Sequence, residues 1–312
     1  MTSTVATIGF FDGVHRGHQC LIRQVQDEAR RRGLSSLVIT FDRHPRSVFA
    51  PESVPPLLTS AEEKMTLLRQ TGVDDIYVLP FDREMAALTA REFMQQVLRG
   101  RLGVEVLVIG YDHRFGRPLP CGESFADYQA YGRELGIDVV LAQELEGEHV
   151  SSSLIRQVLA QGDVTAAAHL LGRPYTWTGR VIHGRAVGHR LGFPTANLQT
   201  LVPNKLLPAN GVYAVAATSL TGDLQGTAGA MLNIGQRPTI DNGSDVSIEA
   251  HLFDFHGDLY EQTLTLFFVA HLRAERRFDS EQALIAQLLQ DEQKARFFLC
   301  ALPSGSISLS SS

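Results

Sequence analysis

The stretch "IGFFDGVHRGHQCLI" (Ile8–Ile22) joins an apolar strand to a glycine-bounded turn and then to a helix. The preceding residues predict a strand over Val5–Gly9, and His18–Arg32 reads as a helix with Leu21, Ile22, Val25 and Ala29 on one face. Arg30–Arg32 before Gly33 could suggest a phosphate site. Cations favoured at a helix C-terminus, followed by a capping glycine, explain the run better. The same rhythm recurs through residue 172, with further strands expected at Ser36–Phe41, Ile76–Pro80, Glu105–Gly110 and Asp138–Ala142. Alternating helices and near-continuous apolar strands imply an α/β doubly wound parallel sheet covered on both faces. Ligands of such a sheet bind beyond the carboxyl ends of its strands, which is where Gly9–His18 falls.

The chain has 312 residues, enough for two domains with cores of their own. Its 44% hydrophobic and 20% charged content is that of a globular protein. A formal charge of −6 offers no basic field for nucleic acid. Cys20, Cys121 and Cys300 fit neither a zinc spacing nor a disulfide framework, which suggests a reducing compartment. The opening "MTSTVATIGF" lacks the marks of a secretory signal, and no apolar run has spanning length. The expectation is a cytoplasmic protein, not bound to membrane or nucleic acid and with no obligatory protein partner.

After "LLGRPYTWTG" the chain turns rich in glycine, proline and short β-forming runs: Gly211–Ala217, Gly229–Asn233, Ser247–Phe253 and Leu264–Phe268. A last helix is predicted from about Ser280 to Leu299, with Leu284, Leu288 and Leu289 on its apolar stripe. Antiparallel strands closed by one helix suggest a small β-barrel. This gives a first domain over 1–172, a second over 173–302, and a low-complexity tail over 303–312 expected to be disordered.

In the first domain, Gly13 suits a tight turn and Gly17 suits close approach of a ligand. A helix N-terminus offers N–H groups and a positive dipole end to phosphate. His15 and His18 can donate to phosphoryl oxygens as charge develops on a leaving pyrophosphate. Two histidines could instead be structural or bind a metal, but zinc needs further ligands and a second shell. "TFDRHP" (Thr40–Pro45) and "IGYDHRFG" (Ile109–Gly116) end the second and fourth strands on the same side. "VSSSLIR" (Val150–Arg156) adds serines, a helix start and an arginine suited to triphosphate oxygens.

In the second domain, "GHRLGFPTANL" (Gly188–Leu198) is glycine-rich, and Thr195 and Asn197 are hard oxygen donors suited to Mg²⁺ carried with a nucleotide. Turn chemistry alone would also account for its composition. "SIEAHLFDF" supplies Glu249 opposite the apolar Ile248 and Ala250. A carboxylate there could take a proton from an attacking hydroxyl, or simply face water.

These motifs resemble those of the prokaryotic bifunctional riboflavin kinase/FMN adenylyltransferases. The first half matches the family's G-x-F-D-G-x-H-x-G-H at Gly9–His18, its F-D-x-H-P at Phe41–Pro45, its G-x-[DN]-x-x-F-G at Gly110–Gly116, and its S-S-T-x-I-R at Ser151–Arg156 with Ser153 for threonine. The second half matches L-G-F-P-T-A-N at Leu191–Asn197, P-x-x-G-V-Y at Pro208–Tyr213, N-I-G-x-x-P-T at Asn233–Thr239, E-x-H-x-[FL]-D-F at Glu249–Phe255 and R-x-E-x-x-F at Arg273–Phe278. The resemblance implies that the first domain adenylylates FMN to FAD and the second phosphorylates riboflavin to FMN, with ATP as co-substrate and Mg²⁺ as cofactor at both sites. It assigns catalysis to His15, His18 and Glu249. ATP of the first site would meet Gly9, Phe10, Asp12, Gly17, Ser151, Ser152, Ser153 and Arg156, and FMN would meet Asp42, His44, Pro45 and Asp112. In the kinase, Gly188, Gly192, Phe193, Pro194, Thr195 and Asn197 would bind ATP, with Thr195 and Asn197 on the metal, and Asn233 and Arg273 would meet the flavin. His189 replaces a frequent arginine, and Glu261 replaces the glycine of the family's D-L-Y-G.

Three rival readings remain at this stage: a chain in which only the kinase works, an adenylyltransferase for a different phosphate, and a flavin-binding module without turnover.

Overall fold

The computed structural model describes residues 3–110, 114–117, 122–183, 192–219, 224–238 and 244–301. It divides into two compact units, Met1–Ser152 and Ser153–Ser312.

The first unit holds a five-stranded sheet of β1 (Thr4–Ile8), β2 (Ser35–Phe41), β3 (Asp75–Leu79), β4 (Val104–Ile109) and β5 (Asp138–Leu141). The order is β3-β2-β1-β4-β5 and all four pairings are parallel. Each strand lies within a residue of its sequence-based position. Side-chain alternation serves two cores. Val5 packs with Val25 and Ala29 of α1 (Arg16–Arg32) and with Val106 and Val108 of β4. Ala6 and Ile8 face the other way, toward Phe93, Met94, Leu107 and Tyr128. That second layer comes from α4 (Ala90–Phe93), its wider-wound continuation Met94–Arg99, and α5 (Phe125–Leu135). Burial of each large side chain, such as Ile8, Ile22 or Ile39, stabilises by roughly 1.5–3 kcal/mol, which is why both faces read apolar. α1 ends on Gly33, left-handed with φ 68°, and Arg31 and Arg32 pair with Glu28. β1 has β2 on one side and β4 on the other, so its carboxyl end opens the crevice expected of a doubly wound sheet. Two more helices, α2 (Ala61–Gln70) and α3 (Arg83–Ala87), complete the unit.

In the second unit α6 (Ser152–Ala160), whose first residue ends the first unit, and α7 (Val164–Leu171) precede the strands. α7 closes on left-handed Gly172, where the rhythm of the sequence changes. The division falls earlier because Ala209 donates to the Leu159 carbonyl (3.0 Å) and α7 packs on two of the following strands. The strands β6 (Tyr175–Ile182), β7 (Ala196–Thr200), β8 (Gly211–Ser219), β9 (Thr227–Pro238), β10 (Ser244–Leu252) and β11 (Thr263–Arg273) form a closed antiparallel barrel. Its order is β10-β7-β6-β11-β8-β9. Sequence reading did not anticipate β6 or β7. β6 alternates buried Tyr175, Trp177 and Val181 with polar residues, but it directly follows the helical segment. β7 is five residues long and mostly polar.

α8 (Glu281–Cys300) lies across the barrel, burying Ala295 with Ile285, Leu288 and Leu299 against Phe193, Ala214, Met231 and Phe253. The expected stripe needs one correction: Leu289 is 51% exposed, because one step past Leu288 turns it off the packed face. The departure at Glu261 also resolves. The residue adopts the left-handed conformation (φ 65°) that a glycine would favour, donates its N–H to Val181 (3.0 Å) and pairs with Arg180.

Candidate active sites

In the first unit, the loop from β1 to α1 places left-handed Phe11 (φ 55°), Gly13 (φ 84°) and Val14 (φ 39°) within four residues. A β-branched residue at positive φ is strained, and such strain gathers at functional loops. His15 caps α1: its Nδ1 accepts the His18 N–H at 3.3 Å, which fixes the hydrogen of the neutral ring on Nε2. The His15 and His18 rings stack at 3.6 Å. This brings the two predicted catalytic histidines side by side at the helix start.

Two of the predicted nucleotide-site residues are also tied into the fold. Asp12 is only 4% exposed, and its carboxylate accepts from Leu58 N (3.0 and 3.1 Å), Thr59 N (3.1 Å) and Thr59 Oγ1 (3.1 Å). It therefore latches the segment before α2 to the loop. A Cβ on Gly17 would meet the His15 ring at 3.2 Å and the Val150 carbonyl at 3.3 Å, so glycine at this position makes room for the capping histidine. Gly9 supports the loop by donating to Ile39 (3.0 Å), and the Phe10 carbonyl accepts from Thr40 (3.2 Å).

At the end of β2, Asp42 accepts from Phe81 N (2.9 Å) and pairs with Arg43 (2.9 Å). Burial raises its pKa, but the bonds from Arg43 and Phe81 outweigh that and hold the carboxyl below its ordinary range. His44 caps the 3-10 turn that begins at Pro45 and sets its ring edge-on to Phe10 at 4.9 Å. Ser152 donates to the Asp12 carbonyl (3.0 Å), Ser151 precedes it, and Ser153 and Arg156 follow on α6 in the second unit. Asp112 lies outside the described residues.

In the second unit the register of the barrel builds the site. Ile182 of β6 lies opposite Asn197 of β7, and Asn197 opposite Glu249 of β10. Glu249 is opposite Asn233 of β9, Asn233 opposite Val212 of β8, and Val212 opposite Arg273 of β11. Direct cross-strand partners share a face. One tier running through all six strands thus carries the expected metal donor, base and flavin contacts. A cavity of about 320 Å³ opens onto that tier, lined by Thr195, Asn233, Glu249 and Arg273 with Phe193 and Val212. Thr195 also lines a second cavity of about 430 Å³, together with Pro194, Asp258 and Tyr260. Asn197 belongs to strand β7 and is not a loop residue, as its motif had suggested. Gly192 (φ 83°) makes the turn that sends Phe193 into the core. Gly188, His189 and Arg190 lie outside the described residues.

Three supporting residues escaped the sequence reading. His251 Nδ1–H donates to the Pro194 carbonyl at 2.8 Å, fastening the Thr195 segment to the strand that carries Glu249. The histidine of E-x-H was its visible signal. Asp291 of α8 is fully buried and accepts from Arg273 Nε (2.8 Å) and Gln287 Nε2 (2.7 Å). A carboxylate four residues after Gln287 and four before Ala295, on one helix face, is the signal there. The third is Lys64, described below.

A doubly wound sheet with paired histidines at its first helix, and a barrel with a carboxylate in a polar tier, define a nucleotide-dependent transferase of two modules. Residues 1–154 match the family described as FAD synthetase, and residues 171–299 match riboflavin kinase. The chain belongs to the bifunctional riboflavin kinase/FMN adenylyltransferase family. It is 40% identical to the member from Escherichia coli (strain K12), over 94% of this chain and 92% of that protein. To the Pseudomonas fluorescens member it is 38% identical, with the same coverages of 94% and 92%. A crystal structure described as a macrolide-efflux protein from Streptococcus pneumoniae superposes with TM-score 0.83 at 32% identity, covering 95% of each chain. Efflux is the description of that protein; among the described residues here, no helix is long and apolar enough to cross a membrane.

Proposed function

We propose that the family's two activities are carried in this chain by the residues assembled above, with the adenylyltransferase module over 1–172 and the kinase module over 173–302. The chain phosphorylates riboflavin to FMN with ATP and adenylylates FMN to FAD with release of pyrophosphate. The observation that carries the residue assignment is the tier Glu249–Asn233–Val212–Arg273 opening on one cavity, with Asn197 opposite Glu249 in the next strand.

In the kinase, Glu249 takes the proton of the terminal ribityl hydroxyl as that oxygen attacks the γ-phosphorus and ADP departs. Asn233 and Arg273 line the flavin's cavity. Arg273 is already matched by Asp291, so it contributes a planar donor surface more than net charge. Thr195 and Asn197 offer the hydroxyl and amide oxygens that Mg²⁺ prefers, and no cluster of three His, Cys, Asp or Glu suited to a resident metal occurs among the described residues. Mg²⁺ arriving with the nucleotide would neutralise phosphate charge there. ATP is placed against Gly188, Gly192, Phe193 and Pro194.

In the adenylyltransferase, an FMN phosphate oxygen attacks the α-phosphorus of ATP and the α–β bond breaks. His15 and His18 donate to the phosphoryl oxygens, stabilising charge as pyrophosphate leaves. Ser151, Ser152, Ser153 and Arg156 are assigned to the nucleotide, and Asp42, His44, Pro45 and Asp112 to FMN. We place its work in the cytoplasm, with no obligatory protein partner.

The test is chromatography of products from riboflavin and Mg²⁺-ATP. Wild type yields FAD, His18→Ala accumulates FMN, and Glu249→Gln lowers FMN formation by roughly 10²–10⁴-fold. Normal FMN formation by Glu249→Gln would remove the base from the mechanism.

A further inference from the structure

Lys64 stands at the start of α2 and is 5% exposed, a rare burial for an ammonium. A cation there also opposes the positive N-terminal end of its own helix. Local preference is thus violated twice at one residue, as happens where function overrides stability. The ammonium reaches the carboxyl end of the sheet. Nζ donates to the Phe41 carbonyl at 2.9 Å and lies 4.1 Å from the centroid of the Phe10 ring. Phe10 opens the loop that leads to His15 and His18, and Phe41 precedes Asp42. Phe10 also packs against His44, ring centroids 4.9 Å apart. One side chain therefore joins the phosphate-side loop after β1 to the flavin-side segment after β2.

We propose that Lys64 is a positioning residue of the adenylyltransferase, its ammonium clamping Phe10 and the Phe41 carbonyl so that the Gly9–His18 and Asp42–Pro45 segments share one frame. The inference rests on the assignment of that site given above. Carboxylates face Lys64 from both neighbouring loops, Asp12 after β1 and Asp42 after β2. Burial pulls its pKa from 10.5 to about 8, against the pull of those two carboxylates. The clamp thus loses its charge as pH rises through about 8. The neutral amine keeps a donor for Phe41 but loses the attraction to the Phe10 ring.

The experiment uses the full chain, wild type and Lys64→Met, and measures FMN adenylylation from pH 6.5 to 9.5. Riboflavin phosphorylation and thermal unfolding are followed on the same samples. The expected result for Lys64→Met is a kcat/KM for FMN adenylylation lowered roughly 10–100-fold, mostly through KM, at unchanged phosphorylation and melting temperature. The wild type loses adenylylation, and not phosphorylation, along an alkaline limb near pH 8 that Lys64→Met lacks. If Lys64→Met does not fold, the wild-type profile decides alone, and absence of that limb overturns the proposal. Adenylylation by Lys64→Met within twofold of wild type at all pH values also overturns it, as does parallel loss of both activities. A wild type that makes no FAD overturns the site assignment together with the role of Lys64.

Discussion

Replacing Asp291 by asparagine tests how the barrel holds Arg273, the proposed flavin contact. The carboxylate is 0% exposed and receives Arg273 Nε and Nη2, both at 2.8 Å, with Gln287 Nε2 at 2.7 Å. Asparagine preserves the volume but removes the charge that balances the guanidinium, and points an NH₂ group at donors. Breaking a buried pair costs about 3–5 kcal/mol. Arg273 keeps 18% of its side chain exposed, which places the expected loss at the lower end, about 3 kcal/mol. Released from Asp291, Arg273 no longer presents a fixed plane to the cavity, and KM for riboflavin should rise about tenfold, equivalent to about 1.4 kcal/mol. Trp177, the only tryptophan of the chain, is fully buried on barrel strand β6, so its fluorescence during denaturant unfolding reports this unit. The double substitution Arg273→Met/Asp291→Leu should recover most of the stability, since an apolar pair of similar volume replaces the ions, while the riboflavin KM stays high. An Asp291→Asn chain within about 0.5 kcal/mol of wild type and with unaltered KM would refute the reasoning, because it would place the pair outside both folding and binding.

Two further outcomes follow from the same structure. Asp12→Asn converts the acceptor of the Leu58 N–H, Thr59 N–H and Thr59 hydroxyl into a group that must donate toward them. FAD formation should fall and the first unit should weaken by about 2 kcal/mol, while riboflavin phosphorylation stays intact; equal loss of both activities counts against the latch. Glu261→Gly relieves a left-handed residue and gives up only the exposed pair with Arg180, so unfolding monitored at Trp177 should show a gain of about 0.5–1 kcal/mol, and a loss would show that the pair outweighs the strain.

The sequence carried the first unit's architecture almost whole, since apolar runs such as Ser36–Phe41 and amphipathic helices such as α1 announce themselves locally. It also marked His15, His18, Thr195 and Glu249 as candidates for the chemistry, because they stand in dense motifs. What it could not supply was the use to which each was put. The part that Asp12 and Gly17 play in holding the loop was not legible, because motif position does not reveal which neighbour fills the adjoining space. Leu289 read as core because a two-residue ambiguity of helical phase vanishes only when a partner surface is present. The barrel strands β6 and β7 were missed because their pairing energy comes from residues distant along the chain. The tier at the kinase cavity is decided wholly by tertiary structure. Residues 197, 212, 233, 249 and 273 have no common local signal, and they meet only because antiparallel register around a closed barrel sets them in one row. Lys64 belongs to the same category: a helix-start lysine is unremarkable in sequence, and only folding closes Phe10, Phe41 and the strand ends around it.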